Sequence, residues 1–243
     1  MNIPVHNNKK IFKIKSDLEL KLTILKKVFY PTLTSIFLIN SSLKKIRKPS
    51  KILDIGCGSG IVGISLYKLG KVNKPVYFSD ISKEAIQNLK INASNHKINF
   101  IAKKGSLFEP WQDYKFDYII NTVSGISQSI ATKSKWYQGV SCKAGVEGTN
   151  LVNKIISKSK KYLNKNGALI IPTISLSDEN KIKTQMKKYF SKVIKIATID
   201  WPLPEEMYIH EKLLNKLKKQ NSIDFQMKWG IIICSTSIYM LKK

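Results

Sequence analysis

Residues 51–61 read Lys51-Ile-Leu-Asp-Ile-Gly-Cys-Gly-Ser-Gly-Ile61, and this stretch decides the fold. Ile52–Ile55 predicts a buried strand, and the apolar residues after position 60 predict a helix. The turn between strand and helix holds three alternating glycines, Gly56, Gly58 and Gly60. Glycine permits positive φ and lets the backbone approach a ligand closely. Free N–H groups at the start of a helix suit a carboxylate or phosphate, so we predict a ligand-binding loop.

Two acidic residues accompany this glycine loop. Asp54 lies inside the strand, where it would repel a pyrophosphate but can accept a hydrogen bond from a cationic ligand such as S-adenosylmethionine (SAM). Asp80 ends the next predicted strand, a position from which a carboxylate can bind both ribose hydroxyls. The loop has GxGxG spacing, whereas dinucleotide sites have GxGxxG. A dinucleotide site and a purely structural turn remain alternatives, but the order strand, loop, helix, strand, acid favours SAM.

From residue 49 onward, short β-branched runs alternate with amphipathic helical segments. Such alternation predicts a parallel sheet covered by helices on both faces, and right-handed crossovers give the doubly wound topology. The last two predicted strands, Lys192–Ile199 and Gly230–Leu241, are separated by one predicted helix, which fits an antiparallel last strand. We predict an α/β fold with a Rossmann-like, seven-stranded, doubly wound sheet.

Residues 1–48 are predicted to form a helical N-terminal extension to a domain of residues 49–243. Ser16 could cap a first helix, whose apolar stripe begins at Leu18. A second helix is predicted over Thr34–Ile46.

The composition limits the classes of partner and compartment. Arg47 is the only arginine, and dispersed lysines supply the net charge of +26. This fits solvated surface lysine or a surface that faces a polyanion. The three cysteines are far apart and form no CxxC pair, the first ten residues lack a signal-peptide core, and the longest apolar stretches are too short to span a bilayer. We expect a cytoplasmic protein with no membrane association. The histidines, at positions 6, 96 and 210, predict no metal site.

The segment Ile52–Gly60, followed by Asp80-Ile-Ser-Lys-Glu-Ala-Ile-Gln-Asn-Leu-Lys-Ile-Asn-Ala, resembles the class I SAM-dependent methyltransferases. Ser106-Leu-Phe-Glu-Pro and Glu147-Gly-Thr resemble in particular the branch of HemK-type protein glutamine methyltransferases and small-domain RNA methyltransferases. The resemblance spans residues 28–200. It implies SAM as the cofactor and methyl transfer as the activity.

The resemblance also implies a set of cofactor contacts. Asp54 and the glycine loop, with Cys57 as a small spacer, would hold the methionine moiety. Asp80 and Ile81 would hold ribose and adenine, and the pair at 106–107 would flank the adenine, with serine where these relatives have an acid. The expected cofactor-binding residues are Asp54, Gly56, Cys57, Gly58, Gly60, Asp80, Ile81, Ser106, Leu107 and Asn121.

The fourth predicted strand, Phe116–Thr122, should end at the methyl-transfer point, because ligands bind beyond the carboxyl ends of such strands. In amide- and base-methylating relatives this point reads Asn-Pro-Pro-Tyr, but here it reads Asn121-Thr-Val-Ser. Asn121 is therefore a substrate or SAM contact, or else a turn residue. Trp136 and Tyr137, in the long loop 126–148, could replace the missing tyrosine or pack this candidate lid onto the core.

Three functions follow from these observations. The leading hypothesis is SAM-dependent N-methylation of a protein or RNA substrate, with Asn121, Trp136 and Tyr137 as catalytic candidates. Loss of the Pro-Pro-Tyr residues motivates a small-metabolite methyltransferase instead. The lysine excess motivates a non-catalytic RNA- or partner-binding module on the same fold. The methyl acceptor and the oligomeric state are left open.

Overall fold

The computed structural model describes residues 9–243, and it divides into two compact units at residue 110. His6 and the first eight residues of the predicted extension lie outside the described residues. Within residues 9–243, no helix combines the length and apolar character that a membrane span requires.

The first unit begins with a β-hairpin, β1 (Lys9–Lys15) and β2 (Leu18–Thr23), followed by helix α1 (Leu33–Leu43). The helix predicted from Ser16 is wrong. Leu18, Leu20 and Leu22 recur with a period of two, which is the strand period, and Leu20 and Leu22 are buried while the residues between them are exposed. The second predicted helix is confirmed as α1. The domain boundary at residue 48 stays a prediction.

The rest of the first unit carries the glycine loop. Its elements are β3 (Ile52–Ile55), α2 (Ile61–Lys68), β4 (Val76–Asp80), α3 (Lys83–Asn95) and β5 (Phe100–Lys104). The strands are parallel in the order β5-β4-β3. The predicted strand Ile52–Ile55, the helix after position 60 and the strand that ends at Asp80 are confirmed. The carboxyl ends of the three strands therefore meet at one edge, as the site prediction requires.

The second unit is a mixed sheet with strand order β6-β7-β10-β8, and β9 pairs with the start of β10. β6 runs parallel to β7, and β10 runs antiparallel to both β7 and β8, so the predicted antiparallel last strand is confirmed. The short β9 adds one strand to the seven predicted. The elements are β6 (Phe116–Asn121), α4 (Gln128–Ala131), α5 (Asn150–Ser159), β7 (Leu163–Ile174), α6 (Glu179–Tyr189), β8 (Lys192–Pro202), α7 (Glu211–Lys219), β9 (Gln226–Lys228) and β10 (Ile231–Lys242).

Strand direction in the second unit brings several strand ends to one edge. Because β10 is antiparallel to its neighbours, its first residue lies at the edge where β6, β7 and β8 end. We call this the carboxyl edge of the second unit. The segment 126–148, predicted as an irregular loop, follows β6 at this edge and contains α4 and a 3-10 turn, Lys135–Tyr137. Ile130 and Ala144 are fully buried, so apolar burial gives this segment its structure.

Candidate functional site

The glycine loop of the first unit has the left-handed backbone that its sequence predicts. Gly56, Gly58 and Gly60 have φ of 80°, 52° and 84°. The N–H groups of Gly56 and Cys57 donate to the Ser79 carbonyl at 2.8 and 3.1 Å. The loop is therefore bonded to the end of β4. Burial, and then Asp54 and Asp80, raise the pKa of the Cys57 thiol, which keeps it neutral and agrees with a spacer role.

Asp54 is fully buried, and its Oδ2 accepts a hydrogen bond from the N–H of Gly63 at 2.9 Å. Gly63 lies in the first turn of α2, whose N-cap, Gly60, has no side chain to satisfy these donors. Asp54 thus caps α2 from the neighbouring strand. A negative charge at this helix start is favourable, and it fixes the direction in which the loop leaves β3.

Asp80 organises the same loop from β4. Its Oδ2 accepts from the Gly58 N–H and its Oδ1 from the Ser82 N–H, each at 2.9 Å. A carboxylate oxygen has two lone pairs, so both oxygens retain capacity for ligand hydroxyls. Burial raises the pKa of Asp80. Next to it, Ile81 exposes 63% of its surface, an apolar face beside a hydroxyl-binding carboxylate.

The end of β5 joins this edge. The Gly105 N–H donates to the Asp80 carbonyl at 3.0 Å, and the Ser106 N–H donates to Glu109 Oε2 at 3.1 Å. Leu107 has φ of 48°, a left-handed value that is uncommon outside glycine. The sequence analysis did not identify Glu109, which holds the backbone at Ser106. Its place three residues after Ser106 is a local signal for such a side-chain-to-backbone bond. Asp80, Ile81, Ser106 and Leu107 are thus brought to one edge.

The space around the glycines shows where a ligand fits. A Cβ on Gly60 would lie 2.3 Å from Leu89 Cδ1, so protein fills that side of the loop. A Cβ on Gly58 would meet no atom within 4 Å. Among the described residues, the approach to Gly58 is therefore open, beside the Asp80 carboxylate. This fits a cofactor that carries hydroxyls and a flat apolar ring.

In the second unit, Asn121 ends β6 and is fully buried. Its Oδ1 accepts from the Val123 N–H at 3.0 Å, while its Nδ2 has no partner among residues 9–243. Only the oxygen can meet a backbone N–H, so this bond fixes which way the amide points. The atom without a partner is thus the donor Nδ2, while Oδ1 keeps its second lone pair for a further donor. Buried donors without a partner are rare, and each needs an explanation.

Ser124, in the turn after β6, contacts the hydroxyl of Tyr137. Ser124 Oγ lies 2.8 Å from the Tyr137 hydroxyl and 2.9 Å from Cys142 Sγ. Burial raises the pKa of Tyr137 well above its ordinary value, so the phenol stays neutral. Trp136 instead packs edge-on against Trp201, with ring centroids 5.9 Å apart. Both rings pack against the buried core of this unit, as the alternative prediction has it, and Tyr137 in addition reaches Ser124 in the turn after β6.

Most of the chain matches a known family. A sequence model described as "Methyltransferase domain" matches residues 46–225. Three curated proteins are each 28% identical to this chain. A Methanocaldococcus jannaschii protein provisionally named a protein N5-glutamine methyltransferase aligns over 79% of this chain and 94% of its own length. A ubiquinone biosynthesis O-methyltransferase of Pelagibacter ubique aligns over 80% and 70%. A release factor glutamine methyltransferase of Borreliella burgdorferi aligns over 78% and 67%.

A solved structure supports the fold. The T. thermophilus 16S rRNA N2 G1207 methyltransferase, in complex with AdoMet and guanosine, superimposes with a TM-score of 0.61 at 13% identity. The match covers 99% of this chain and 52% of that one. At this identity the match bears on the fold alone, and it confirms the predicted Rossmann-like class.

Proposed function

This chain belongs to the methyltransferase domain family, and we propose that it transfers the methyl group of SAM to a side-chain nitrogen of a protein substrate. The observation that carries the proposal is the buried, unpartnered Nδ2 of Asn121 at the end of β6. The alignment with protein glutamine methyltransferases supports a carboxamide as the acceptor.

SAM is the cofactor, and when bound it supplies a methyl group that is already activated on a sulfonium. The residues of the first unit then have to bind and orient it. We assign the hydroxyl contacts to Asp80, whose two oxygens are already aimed by Gly58 and Ser82. The exposed face of Ile81 would pack on a flat ring, and the open side of Gly58 would admit close backbone contact.

The residues of the second unit suit a carboxamide acceptor. A carboxamide can accept at its oxygen from Asn121 Nδ2, which satisfies the buried donor and fixes the plane of the group. Its nitrogen, on the other arm of the same plane, is then oriented for methylation, and it would lose one proton to water as the N–CH3 bond forms and the S–CH3 bond breaks. The ring of Tyr137, held by Ser124, replaces the tyrosine missing from the Asn-Thr-Val-Ser sequence, and its neutral hydroxyl adds no charge to the site.

O-methylation of a small hydroxylated molecule is a second candidate, and the same atom favours it. A hydroxyl or phenolate oxygen also accepts a hydrogen bond from Asn121 Nδ2. One aligned relative is a ubiquinone biosynthesis O-methyltransferase. In this case the donor would hold the acceptor oxygen and favour its ionised form, and the phenolate would attack the methyl carbon as the S–CH3 bond breaks, with no proton left to release.

Incubation with tritiated SAM and a cell extract tests the proposal. After fractionation, we expect label in protein that resists RNase and is released by protease, with a methyl group on glutamine by peptide mass spectrometry. Label confined to an RNA fraction, or to organic-extractable small molecules, would contradict it. Asp113→Asn, an exposed carboxylate outside the site, serves as the active control, and Asp80→Ala as the cofactor-deficient one.

A further inference from the structure

The turn between β9 and β10 carries an exposed tryptophan, Trp229, whose side chain does not contribute to the buried core. Trp229 is 95% exposed at the tip, between Met227 at 60% and Ile231 at 43%. We call these three residues the hairpin patch. An exposed tryptophan adds no buried apolar area to the fold. Met227 pairs with Ile232 and Ile231 pairs with Lys228, so Met227 and Ile231 flank the tip on opposite faces of the hairpin. Exposed apolar groups gathered at one projecting tip are typical of interaction sites.

The backbone at the tip makes tryptophan a costly choice. Trp229 and Gly230 have φ of 49° and 75°, and Lys228 pairs with Ile231 across them. Positive φ at both central residues of a two-residue turn is type I′, which prefers Asn-Gly. A bulky residue at positive φ is a genuine outlier, and strained residues gather at functional positions. A binding partner outside the chain would explain both the backbone strain and the exposure of the side chain at position 229.

The hairpin projects beyond the carboxyl edge of the second unit, where β6 also ends. Its base is fixed because the Tyr208 hydroxyl accepts from the N–H of Ile232, a buried residue, at 3.0 Å. The first residues of β10 lie at the carboxyl edge of the second unit, the edge at which β6 ends with Asn121. A macromolecule that reaches Asn121 therefore approaches the edge from which the patch projects.

The composition of the surroundings indicates the chemistry of the partner. Among the described residues, no salt bridge involves Lys228, the exposed residue directly before Trp229. Its charge fits an acidic group on the rim of an apolar pocket. Of the three patch residues only Trp229 offers a flat face, whereas single-strand binding surfaces stack successive bases on several aromatic side chains. Tryptophan is also enriched in the energetic centres of protein interfaces. The patch thus fits a protein better than an RNA strand.

We infer that the hairpin patch docks the methyl-accepting protein, with Trp229 inserted into an apolar, acid-rimmed pocket of that substrate. The inference rests on the proposed function, because its occupant is the protein that receives the methyl group. The patch determines which protein is brought to Asn121, whereas the residues around Asn121 act on the acceptor group itself.

The Trp229→Asn variant of the full chain tests the inference, because Asn-Gly suits the turn and preserves the fold. The probe is extract protein treated with RNase, with tritiated SAM as the methyl source. We expect KM for extract protein to rise about tenfold or more, with kcat, SAM affinity and Tm retained or, for Tm, raised. Met227→Ser should act in the same direction. Ile11→Asn, an equally drastic change at a 64% exposed residue of β1, is the matched control and should change nothing.

Several results would overturn the inference. One is unchanged KM in Trp229→Asn, and another is an equal rise in Ile11→Asn. A loss of SAM affinity would make Trp229 structural. Reduced labelling of RNA in an untreated extract, or loss of co-sedimentation with vesicles of phosphatidylglycerol and phosphatidylcholine, would assign the patch to a different partner. If the wild-type chain labels no protein, the proposed function fails and the inference fails with it, a result distinct from equal labelling by wild type and variant.

Discussion

The side-chain amide of Asn92 donates to the backbone carbonyl of Ser59 across 2.9 Å, so helix α3 is bonded directly to the glycine loop. The same buried side chain accepts from the Thr23 N–H at 2.8 Å and donates to the Thr23 carbonyl at 3.0 Å. One turn earlier, Asn88 bonds the N–H of Leu25 and the carbonyl of Thr23. The N-terminal hairpin and the cofactor loop are therefore coupled through one face of α3.

Asn92→Ala should weaken both the fold and SAM binding. The change leaves the Thr23 N–H and the carbonyls of Thr23 and Ser59 without this partner, and each buried unsatisfied group costs about 1–3 kcal/mol. We expect urea denaturation to show a loss of about 2–4 kcal/mol and calorimetry to show lower SAM affinity. Gln87→Ala, at an exposed position of the same helix, should leave both unchanged. Unaltered SAM affinity in a destabilised Asn92→Ala protein would refute the coupling.

Asp80 should give stability and SAM affinity opposite responses to pH. Burial raises its folded pKa above the ordinary 3.8, so the folded chain binds this proton more tightly than the unfolded chain. Between the ordinary and the raised pKa, stability therefore falls as pH rises. SAM binding needs the ionised carboxylate, so affinity falls as pH is lowered through the raised pKa.

Denaturation and calorimetry across this acidic range measure both effects of Asp80. Asp80→Asn should flatten both profiles and lower SAM affinity at neutral pH. Asp113→Asn, an exposed carboxylate, should retain both wild-type profiles. If SAM affinity falls only at the ordinary pKa of an aspartate, burial does not govern the ionisation of Asp80.

The geometry of the glycine loop could be predicted because its signals are local. Glycines at fixed spacing and an acid at a strand end follow from backbone geometry, and the sequence contains both. The hairpin at the N-terminus was mistaken for a helix because Leu18, Leu20, Leu22 and Leu25 fit either period over so short a stretch. The Asn92–Ser59 bond joins residues 33 apart, and no local pattern reports such a contact. The orientation of the Asn121 amide likewise depends on the Val123 N–H, a property of the folded turn.

Tyr137 should contribute through its ring, with the hydroxyl acting only to position it. Tyr137→Phe keeps the ring but loses the bond to Ser124, so we expect a several-fold fall in kcat/KM. Tyr137→Ala removes the ring and should cost about a hundredfold or more, within the range for losing a positioning group. In a double-mutant cycle, Ser124→Ala and Tyr137→Phe should couple by about 1 kcal/mol. Equal activity of the Phe and Ala variants would show that the ring makes no contact with substrate.

Asn121→Asp should lower kcat without lowering SAM affinity. The variant keeps an oxygen for the Val123 N–H but replaces the unpartnered Nδ2 donor with an acceptor. We expect kcat to fall about a hundredfold or more, the cost of removing one aligned donor at a transfer site. SAM affinity, measured by calorimetry, should stay within about twofold, because binding of the cofactor is assigned to the first unit. Full activity in this variant would mean that the donor has no part in holding the methyl acceptor.

Gly58 and Gly70 form a matched pair that tests cofactor contact without confusing it with backbone strain. Both have positive φ, 52° and 67°, and a Cβ on either would meet no atom within 4 Å. Alanine at either position should therefore cost a similar strain, about 1–2 kcal/mol, in urea denaturation. Only Gly58 lies beside Asp80, to which its N–H donates. We expect Gly58→Ala to weaken SAM binding at least tenfold and Gly70→Ala to leave it unchanged. Equal SAM affinity in the two variants would show that the cofactor does not contact the glycine loop at Gly58.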